Sequence, residues 1–464
     1  MGACGRGYGT MTKTNCFRLL CIFLMTGALG APALAQQSKL RLEQAVAAAL
    51  EHNPARKLAA ANLADADAGY RLSQTMLFPQ ISFSEGVTRS NDPVFVFGTK
   101  LRQQIFNNSD FGLNTLNRPT PINNVTTGFT GHWTAFDSWS TQLKIKRASL
   151  LKRSSAKSSD RSTQEVIYSV ISAYESVLIA EREVEVANHS VETAQALYNL
   201  SRNRVNAGLT VESDALSAQV NLAARQQELI QAQGAVRSAW AALEAAVGSE
   251  LPSRPEALEP LAERAFIVSP ITDELSIALK SRPDLASLAL QISAQQTAVK
   301  VAKADFGPRV DAFGSWQINR QSFVGDGGNN WAAGAELRID LLPFSKLERL
   351  QMEKAALLRA QAGDEAARNL VRVEVSRAYY DCQSAAKSIE VARASRAQAA
   401  ESLRILRTRY DAGLVIITEL LRAEDAKRQS EKLYWQAVYR NAVSYAALRL
   451  ATGTLNQIEV VNFQ

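Results

Sequence analysis

The stretch "RVNAGLTVESDALSA", Arg204–Ala218, puts a glycine and several weak helix formers inside about a hundred residues that otherwise favour continuous helix. A second stretch, "RYDAGLVIITELLRA", Arg409–Ala423, has Arg, Ala, Gly, Leu, Leu and Ala at the same six places. A repeated break of this kind predicts that one structural unit is built twice within the chain.

The duplication extends far beyond the two breaks, because paired residues keep a constant separation. Upstream, the separation is 229 residues and pairs Pro54 with Pro283 and Pro79 with Pro308. Downstream, the separation is 205 residues and pairs Ala173 with Ala378, Gly208 with Gly413 and Gly248 with Gly453. The change from 229 to 205 gives the first copy 24 extra residues between Pro79 and Asp137. Each copy therefore reads as helix, variable segment, long helix, glycine break and long helix.

The prolines separate two long helical tracts. There is no proline between Pro121 and Pro252 or after Pro343, and a proline inside a helix costs about 3 kcal/mol. Within the first tract, apolar residues in steps of three and four indicate a coiled-coil seam: Ile167, Val170, Tyr174, Val177, Val184, Val191 and Tyr198. A continuous helix from Asp137 to Asn206 would be ~100 Å long at 1.5 Å per residue.

The variable segment changes to a period of two, which predicts a pair of β-strands in each copy. In the second copy, one face carries Val310, Ala312, Gly314, Trp316 and Ile318 and then Trp331, Ala333, Ala335, Leu337, Ile339 and Leu341. In the first copy, Glu85 interrupts the corresponding apolar face. A half-buried globular sheet and a membrane β-barrel would both alternate in this way. A barrel would need strands from several chains, because four strands are too few to close one and open edges are not tolerated in lipid.

The N-terminus predicts a secretory signal peptide at 1–35. Basic residues precede the apolar run "LLCIFLMTGALG", and "APALA" ends in a small-x-small cleavage site. Cleavage would leave Cys382 as the one cysteine, so no internal disulfide can form, and we expect Cys382 to be inert packing on a helix. Removal of Arg6, Lys13 and Arg18 lowers the formal charge from +7 to +4, which is too slight to suggest nucleic acid as a partner.

The sequence resembles the TolC family of outer-membrane efflux proteins over essentially all of residues 40–453. The resemblance rests on the tandem copies, the "NP" and "RP" helix breaks, the "FPQIS" entry to the first strand, the "FD" at Phe136 and Asp137, and the paired "AGL" turns. It implies a mainly α protomer with a membrane β-barrel portion, four long helical hairpin arms and four transmembrane strands. It also implies a homotrimer, in which twelve strands form one barrel in outer-membrane lipid and the helices form a periplasmic tunnel.

This resemblance implies the following organisation, with strand hairpins at about 80–136 and 309–341 and helical hairpins at about 137–248 and 345–453. The segments are a signal peptide at 1–35, a first repeat at 36–250, a proline-rich connector at 251–272, a second repeat at 273–453 and a C-terminal tail at 454–464.

The resemblance also implies that the glycine breaks are the hairpin turns at the periplasmic end of the tunnel, where family members meet a periplasmic adaptor. The docking tips implied are Ala207, Gly208, Leu209, Ala412, Gly413 and Leu414. Apolar residues at these turns, with Val415 and Ile416, favour docking over an ordinary solvated turn. The family also places a gate nearby, with Tyr410 and Glu419 as better candidates than Asp214. Arg422 stands where some members have an acid. The acids could equally complement helix N-termini.

Other functions have less support from the sequence. The three histidines, His52, His132 and His189, fall in different predicted elements, and we expect His132 to face the barrel lumen. No nucleophile motif or phosphate loop is present, so neither an enzyme nor a cofactor is expected. A periplasmic coiled-coil adaptor or scaffold is the main alternative to an outer-membrane channel. The cargo and the inner-membrane transporter stay open, with small-molecule efflux favoured by the frequency of that role in the family.

Overall fold

A computed structural model describes residues 40–250 and 260–458. The first copy contains α1 (Leu42–His52), α2 (Pro54–Thr75), β1 (Gln80–Ser90), α3 (Pro93–Arg102), α4 (Leu113–Asn117), β2 (Ile122–Phe136), α5 (Ser140–Asn206) and α6 (Glu212–Val247), with a 3-10 turn at Asn108–Phe111. The second copy contains α7 (Ile271–Ser281), α8 (Pro283–Ala304), β3 (Arg309–Arg320), β4 (Gly328–Arg338), α9 (Phe344–Asp411) and α10 (Ile417–Thr452). The predicted signal peptide at 1–35 lies outside the described residues.

Two very long helices run through the molecule. Helix α5 has 67 residues and α9 has 68, so each is ~100 Å long at 1.5 Å per residue. Helix α5 begins at Ser140 rather than at Asp137, because Ser138 and Trp139 have positive φ angles of 54° and 69°. Among the helices of 40–250 and 260–458, we find none that is long and apolar enough to cross a membrane.

Shorter helices stack end to end beside the long ones. Helix α6 ends at Gly248, and the side chain of Asn53, which caps the start of α2, donates a hydrogen bond to the carbonyl of Ala246 at 2.6 Å. The second copy repeats the junction, since Arg282 at the start of α8 donates to the carbonyl of Ala451 near the end of α10 at 3.1 Å. Helices α2 and α6 together, and α8 and α10 together, therefore form two interrupted arms. Helices α2 and α6 pack along α5, α10 packs along α9, and α8 packs against both α5 and α9.

The predicted coiled-coil seam on α5 is fully buried in its first half and half-buried in its second. Ile167, Val170, Tyr174 and Val177 are buried in the central core, but Val184, Val191 and Tyr198 are only half-buried. The buried line continues instead through Ala180, Ala187, Ala194 and Ser201, which recur every seven residues. Small side chains there let helices approach closely, which a seam of large apolar residues would prevent.

The four strands form one antiparallel sheet in the order β1-β2-β3-β4. The register aligns Phe83, Phe129, Trp316 and Trp331 in one row across the apolar face. Glu85 interrupts this face, as the sequence predicted. Ile339 and Leu341 were predicted to extend it, but β4 ends at Arg338 and leaves them outside the sheet. Serines, threonines and asparagines dominate the opposite face, which we call the polar face.

His132 lies on the polar face, paired with Gln80 and Phe313. This is the face that would line the lumen of a barrel whose apolar face contacts lipid.

The described part of the connector ties the two copies together. Arg264 forms an ion pair with the fully buried Glu175 of α5 at 2.9 Å, and its carbonyl accepts a hydrogen bond from Asn441 of α10 at 3.0 Å. Burial raises the pKa of Glu175, against the opposing effect of Arg264. Phe266 stacks on Tyr445 with ring centroids 4.1 Å apart. Helix α7 begins at Ile271, two residues inside the predicted connector.

Cys382 is buried on α9, as expected from the sequence. Burial is also the main cause that raises the pKa of its thiol. The neutral thiol is a poor nucleophile, so this cysteine is chemically quiet in the folded chain.

The packing of α6 on α2 predicts that alanine destabilises the protein more at Gly248 than at Gly208. Both Gly208 and Gly248 have positive φ, where a residue with a Cβ costs roughly 1–2 kcal/mol. A Cβ on Gly248 would also lie 2.7 Å from the Cα of Asn53, whereas a Cβ on Gly208 would meet nothing within 4 Å. We expect Gly248→Ala to lower the melting temperature of the helical circular dichroism signal more than Gly208→Ala does. Equal shifts would contradict the close packing of α6 on α2.

Candidate functional site

The first hairpin turns at the predicted residues Ala207, Gly208 and Leu209. Gly208 has a φ of +71°, and its amide donates to the carbonyl of Val205 at 2.9 Å. The amide of Leu209 donates to the carbonyl of Arg204, also at 2.9 Å. These two bonds form a Schellman motif, which satisfies carbonyls that would otherwise be left free at the end of α5.

The second hairpin has the same geometry at Ala412, Gly413 and Leu414. Gly413 has a φ of +75°, and its amide donates to the carbonyl of Tyr410 at 3.0 Å. The amide of Leu414 donates to the carbonyl of Arg409 at 2.9 Å. The identical residues of the two breaks therefore encode the same turn twice.

Apolar side chains project from both tips. Leu209 is 77% exposed and Leu414 is 73% exposed, and Ile416 is also largely exposed. Val415 was expected to join them, but it packs partly buried against the cluster formed by the two tips. Val211 is exposed and was missed, although it corresponds to Ile416 at the separation of 205 residues. The tips thus present two matching pairs of apolar residues.

Tyr410 does not project into open space. It is 5% exposed and lies in the tip cluster with Leu197, Leu403 and Leu420. The guanidinium of Arg204 lies over its ring, 4.5 Å from the centroid, and Arg204 also donates to the carbonyl of Tyr410 at 3.1 Å. Arg204 therefore joins the end of α5 to the end of α9.

Arg204 is not among the site residues that the sequence predicts. A signal existed, since Arg204 and Arg409 are one of the six identical pairs in the two breaks. Identity alone did not indicate a partner, because the side chain of Arg204 contacts the other copy and only its backbone takes part in its own turn.

The acidic candidates lie in the first turns of their helices. Glu419 forms an ion pair with Arg422 at 2.8 Å, three residues along the exposed surface of α10. Asp214 accepts a hydrogen bond from the hydroxyl of Thr210 at the start of α6. Within the described residues of one chain, neither acid forms a hydrogen bond or an ion pair with Tyr410. Each position suits a helix N-terminus, where a negative charge is favourable.

Within residues 40–250 and 260–458, no group of three or more His, Cys, Asp or Glu side chains could hold a metal ion.

Long paired helices, a four-stranded sheet with one apolar face and two apolar hairpin tips define an outer-membrane export channel of the TolC type. The chain belongs to the outer membrane efflux protein family, whose model matches residues 45–249 and 275–454. It is therefore an outer-membrane channel of an efflux or type I secretion system, with a large periplasmic part. The two matched ranges cover both copies, so the adaptor alternative is set aside.

Two curated relatives are similar in sequence. Protein CyaE of Bordetella pertussis is 26% identical over 428 residues, which cover 90% of this chain and 85% of that protein. The alkaline protease secretion protein AprF of Pseudomonas aeruginosa is 25% identical over 310 residues, which cover 64% of this chain and 63% of that protein.

Solved structures of outer-membrane channels have the same fold. The Campylobacter jejuni channel CmeC superposes with a TM-score of 0.77 at 17% identity, covering 96% of this chain and 95% of that one. The open state of the Neisseria gonorrhoeae channel MtrE superposes with a TM-score of 0.74 at 18% identity, and the match covers 90% of each chain. The family and these neighbours are channels and not enzymes.

The contacts of Arg204 predict a local loosening of the second tip on substitution. Arg204→Met removes a cation–π contact and a charge-assisted hydrogen bond, together worth roughly 1–2 kcal/mol at a partly exposed site. Amides around residues 405–416 should then exchange hydrogen about tenfold faster, since 1.4 kcal/mol is a factor of ten.

Arg202→Met is the matched control, because Arg202 pairs with Glu212 of its own hairpin at 2.8 Å. Exchange at the second tip should be unchanged in the control. Equal effects of the two variants would show that Arg204 does not join the hairpins.

Proposed function

We propose that the protein works as a homotrimer in which three sheets close one twelve-stranded barrel. The observation that carries this proposal is the sheet itself, which has two open edges and an apolar face with Phe83, Trp331 and Leu337 exposed. Open edges are not tolerated in lipid, and known membrane barrels have at least about eight strands. Three chains supply enough strands and remove every edge.

The helices support the same assembly. Apolar side chains remain exposed along them in a single chain, including Val220 on α6 and Val373 and Val391 on α9. Apolar side chains exposed at several places along the helices of one chain are available for contact with other chains. In the trimer these surfaces would meet those of neighbouring copies and form the wall of the tunnel.

The trimer predicts a molecular mass of three chains for the protein solubilised in detergent, measured by light scattering with the detergent contribution subtracted. The mass should stay constant on dilution, since each barrel wall depends on all three chains. A stable monomer with an intact circular dichroism spectrum would contradict the proposal.

We further propose that the two tips dock a periplasmic adaptor, which links the channel to an inner-membrane transporter. Leu209 with Val211 and Leu414 with Ile416 supply two similar apolar contacts per chain. The repeated geometry fits an adaptor whose hairpin ends bind six related positions around a trimer.

A gate at the same end would be held shut by modest contacts. Tyr410, Asp214, Glu419 and Arg422 lie at or near the tips, and Arg204 secures the buried Tyr410. The contacts of Arg204 with Tyr410, which join the two hairpins, are worth roughly 1–2 kcal/mol at a partly exposed site, whereas the Glu419–Arg422 ion pair lies within α10 and ties it to no other helix. Adaptor binding can supply enough free energy to overcome contacts of this size.

Docking predicts that Leu414→Asp abolishes export without loss of trimer. A carboxylate at this position would have to be buried without a partner in an apolar contact, which is costly. Export is measured as drug resistance and as secreted protein in a strain that depends on this channel. Leu414→Met is the control and should export normally. Normal export by Leu414→Asp at equal trimer yield would rule out docking through this residue.

A further inference from the structure

The extra residues of the first copy form a folded unit. The connection between β1 and β2 spans 91–121, whereas the connection between β3 and β4 spans only 321–327, and this difference accounts for the whole 24-residue insertion. We call residues 93–117 the mouth segment. It contains α3, the 3-10 turn and α4 and lies at the end of the sheet opposite the long helices.

Side chains within the mouth segment contact one another. Phe106 contacts both Phe97 and Phe111, with ring centroids 5.0 and 5.1 Å apart. Lys100 forms an ion pair with the buried Asp110 at 2.6 Å. The aromatic cluster and the ion pair connect α3 to the 3-10 turn within the segment.

Side-chain hydrogen bonds fix the mouth segment to the polar face of the sheet. Gln103, buried at the end of α3, donates through Nε2 to Oδ1 of Asn124 at 2.9 Å and to the carbonyl of Arg320 at 3.1 Å. Asn124 in turn donates to Oδ1 of Asn319 at 2.9 Å. Asn124 and Asn319 are adjacent on the polar face and are both buried beneath the segment.

Strand β4 supplies a second, independent contact on the same face. Asn330 donates through Nδ2 to the carbonyl of Arg102 at 3.0 Å. A Cβ on Gly328 would overlap that same carbonyl oxygen, so the segment rests directly on the glycine. The mouth segment therefore crosses from β2 to β4 over the polar face.

We propose that the mouth segment projects into the barrel lumen and forms a second constriction, at the extracellular exit, which sets the size of solute that can pass. The inference rests on the proposed trimer, because the polar face lines a lumen only when the sheets close. Three copies would then narrow the exit together.

The exposed apolar residues of the segment fit this arrangement. Val94 is 81% exposed and Leu113 is 78% exposed. Inside a water-filled lumen such side chains are unfavourable unless they meet other apolar surface. The mouth segments of the other two copies of this chain provide that surface at the barrel axis.

The test measures access to the lumen from outside intact cells, which does not depend on the periplasmic gate. His132→Cys places a thiol on the polar face, while the natural Cys382 is buried. Maleimides carrying polyethylene glycol of increasing length are added to the cells, and labelling of the trimer is followed by mass. We expect long reagents to be excluded from the chain with its natural mouth segment.

Two variants remove the constriction in different ways. One replaces residues 91–121 by the "QSFVGDG" of the second copy, 321–327. The other is Gly328→Ala, which displaces the segment without deleting it. Gly86→Ala is its control, because Gly86 is also on the polar face and a Cβ there meets nothing within 4 Å. Both variants should lose the exclusion of long reagents, and the control should keep it.

The outcomes separate this inference from the proposed trimer. An identical size limit in intact trimers of all four chains would overturn the constriction and leave the channel standing. Failure of the parent chain to form trimers would overturn the channel and the constriction together. If only the grafted variant fails to assemble, the size limits of Gly328→Ala and Gly86→Ala are compared. A larger limit in Gly328→Ala supports the constriction, and equal limits overturn it.

Discussion

The end-to-end stacking of helices is the constraint on which the rest of the structure depends. A ~100 Å helix needs partners along its whole length, and neither α6 nor α10 reaches far enough alone. At Gly248 and at Gly453, a second helix begins where the first one ends, so that two helices together cover the length of the long helix. A left-handed glycine ends one helix, and the side chain before a proline, Asn53 or Arg282, binds the last carbonyls while the proline starts the next helix. The terminal polar groups of two helices are satisfied where they meet.

The two copies use this common scaffold but differ where each has a separate task. At the second junction, Arg282 replaces the amide of Asn53 and adds an ion pair at 2.7 Å to Glu374, which ties the start of α8 to α9. A second ion pair, also at 2.7 Å, joins Arg282 to Asp284 in the first turn of α8. At the tips, Arg204 of the first copy binds the end of α9 in the second copy. At the other end, the first copy alone carries the mouth segment. Duplication supplied the scaffold, and small local changes made the halves complementary.

The contacts at the two ends of the molecule differ in strength. The tips are held by one partly exposed arginine and a small apolar cluster, contacts of a size that a docking protein can overcome. The mouth segment is held by buried amide side chains and by close backbone packing on Gly328. Breaking such contacts leaves buried polar groups unpaired, which costs more. The contacts at the tips are therefore the easier to break, and those of the mouth segment with the sheet are the harder.

The sequence by itself determined the features that depend on neighbouring residues. Glycine breaks at 208 and 413, proline starts at 54 and 283 and the alternation of 310–318 each reflect local backbone preference or periodicity, so the duplicated helices and the strands could be predicted. Only the tertiary structure decided which residues meet across the copies. It buried Tyr410 beneath Arg204, moved the second half of the α5 seam to small residues, turned Val415 inward and laid the mouth segment on the polar face. These contacts join residues that are up to about two hundred positions apart in the chain, and no local pattern encodes such pairings because they depend on how whole helices and strands pack.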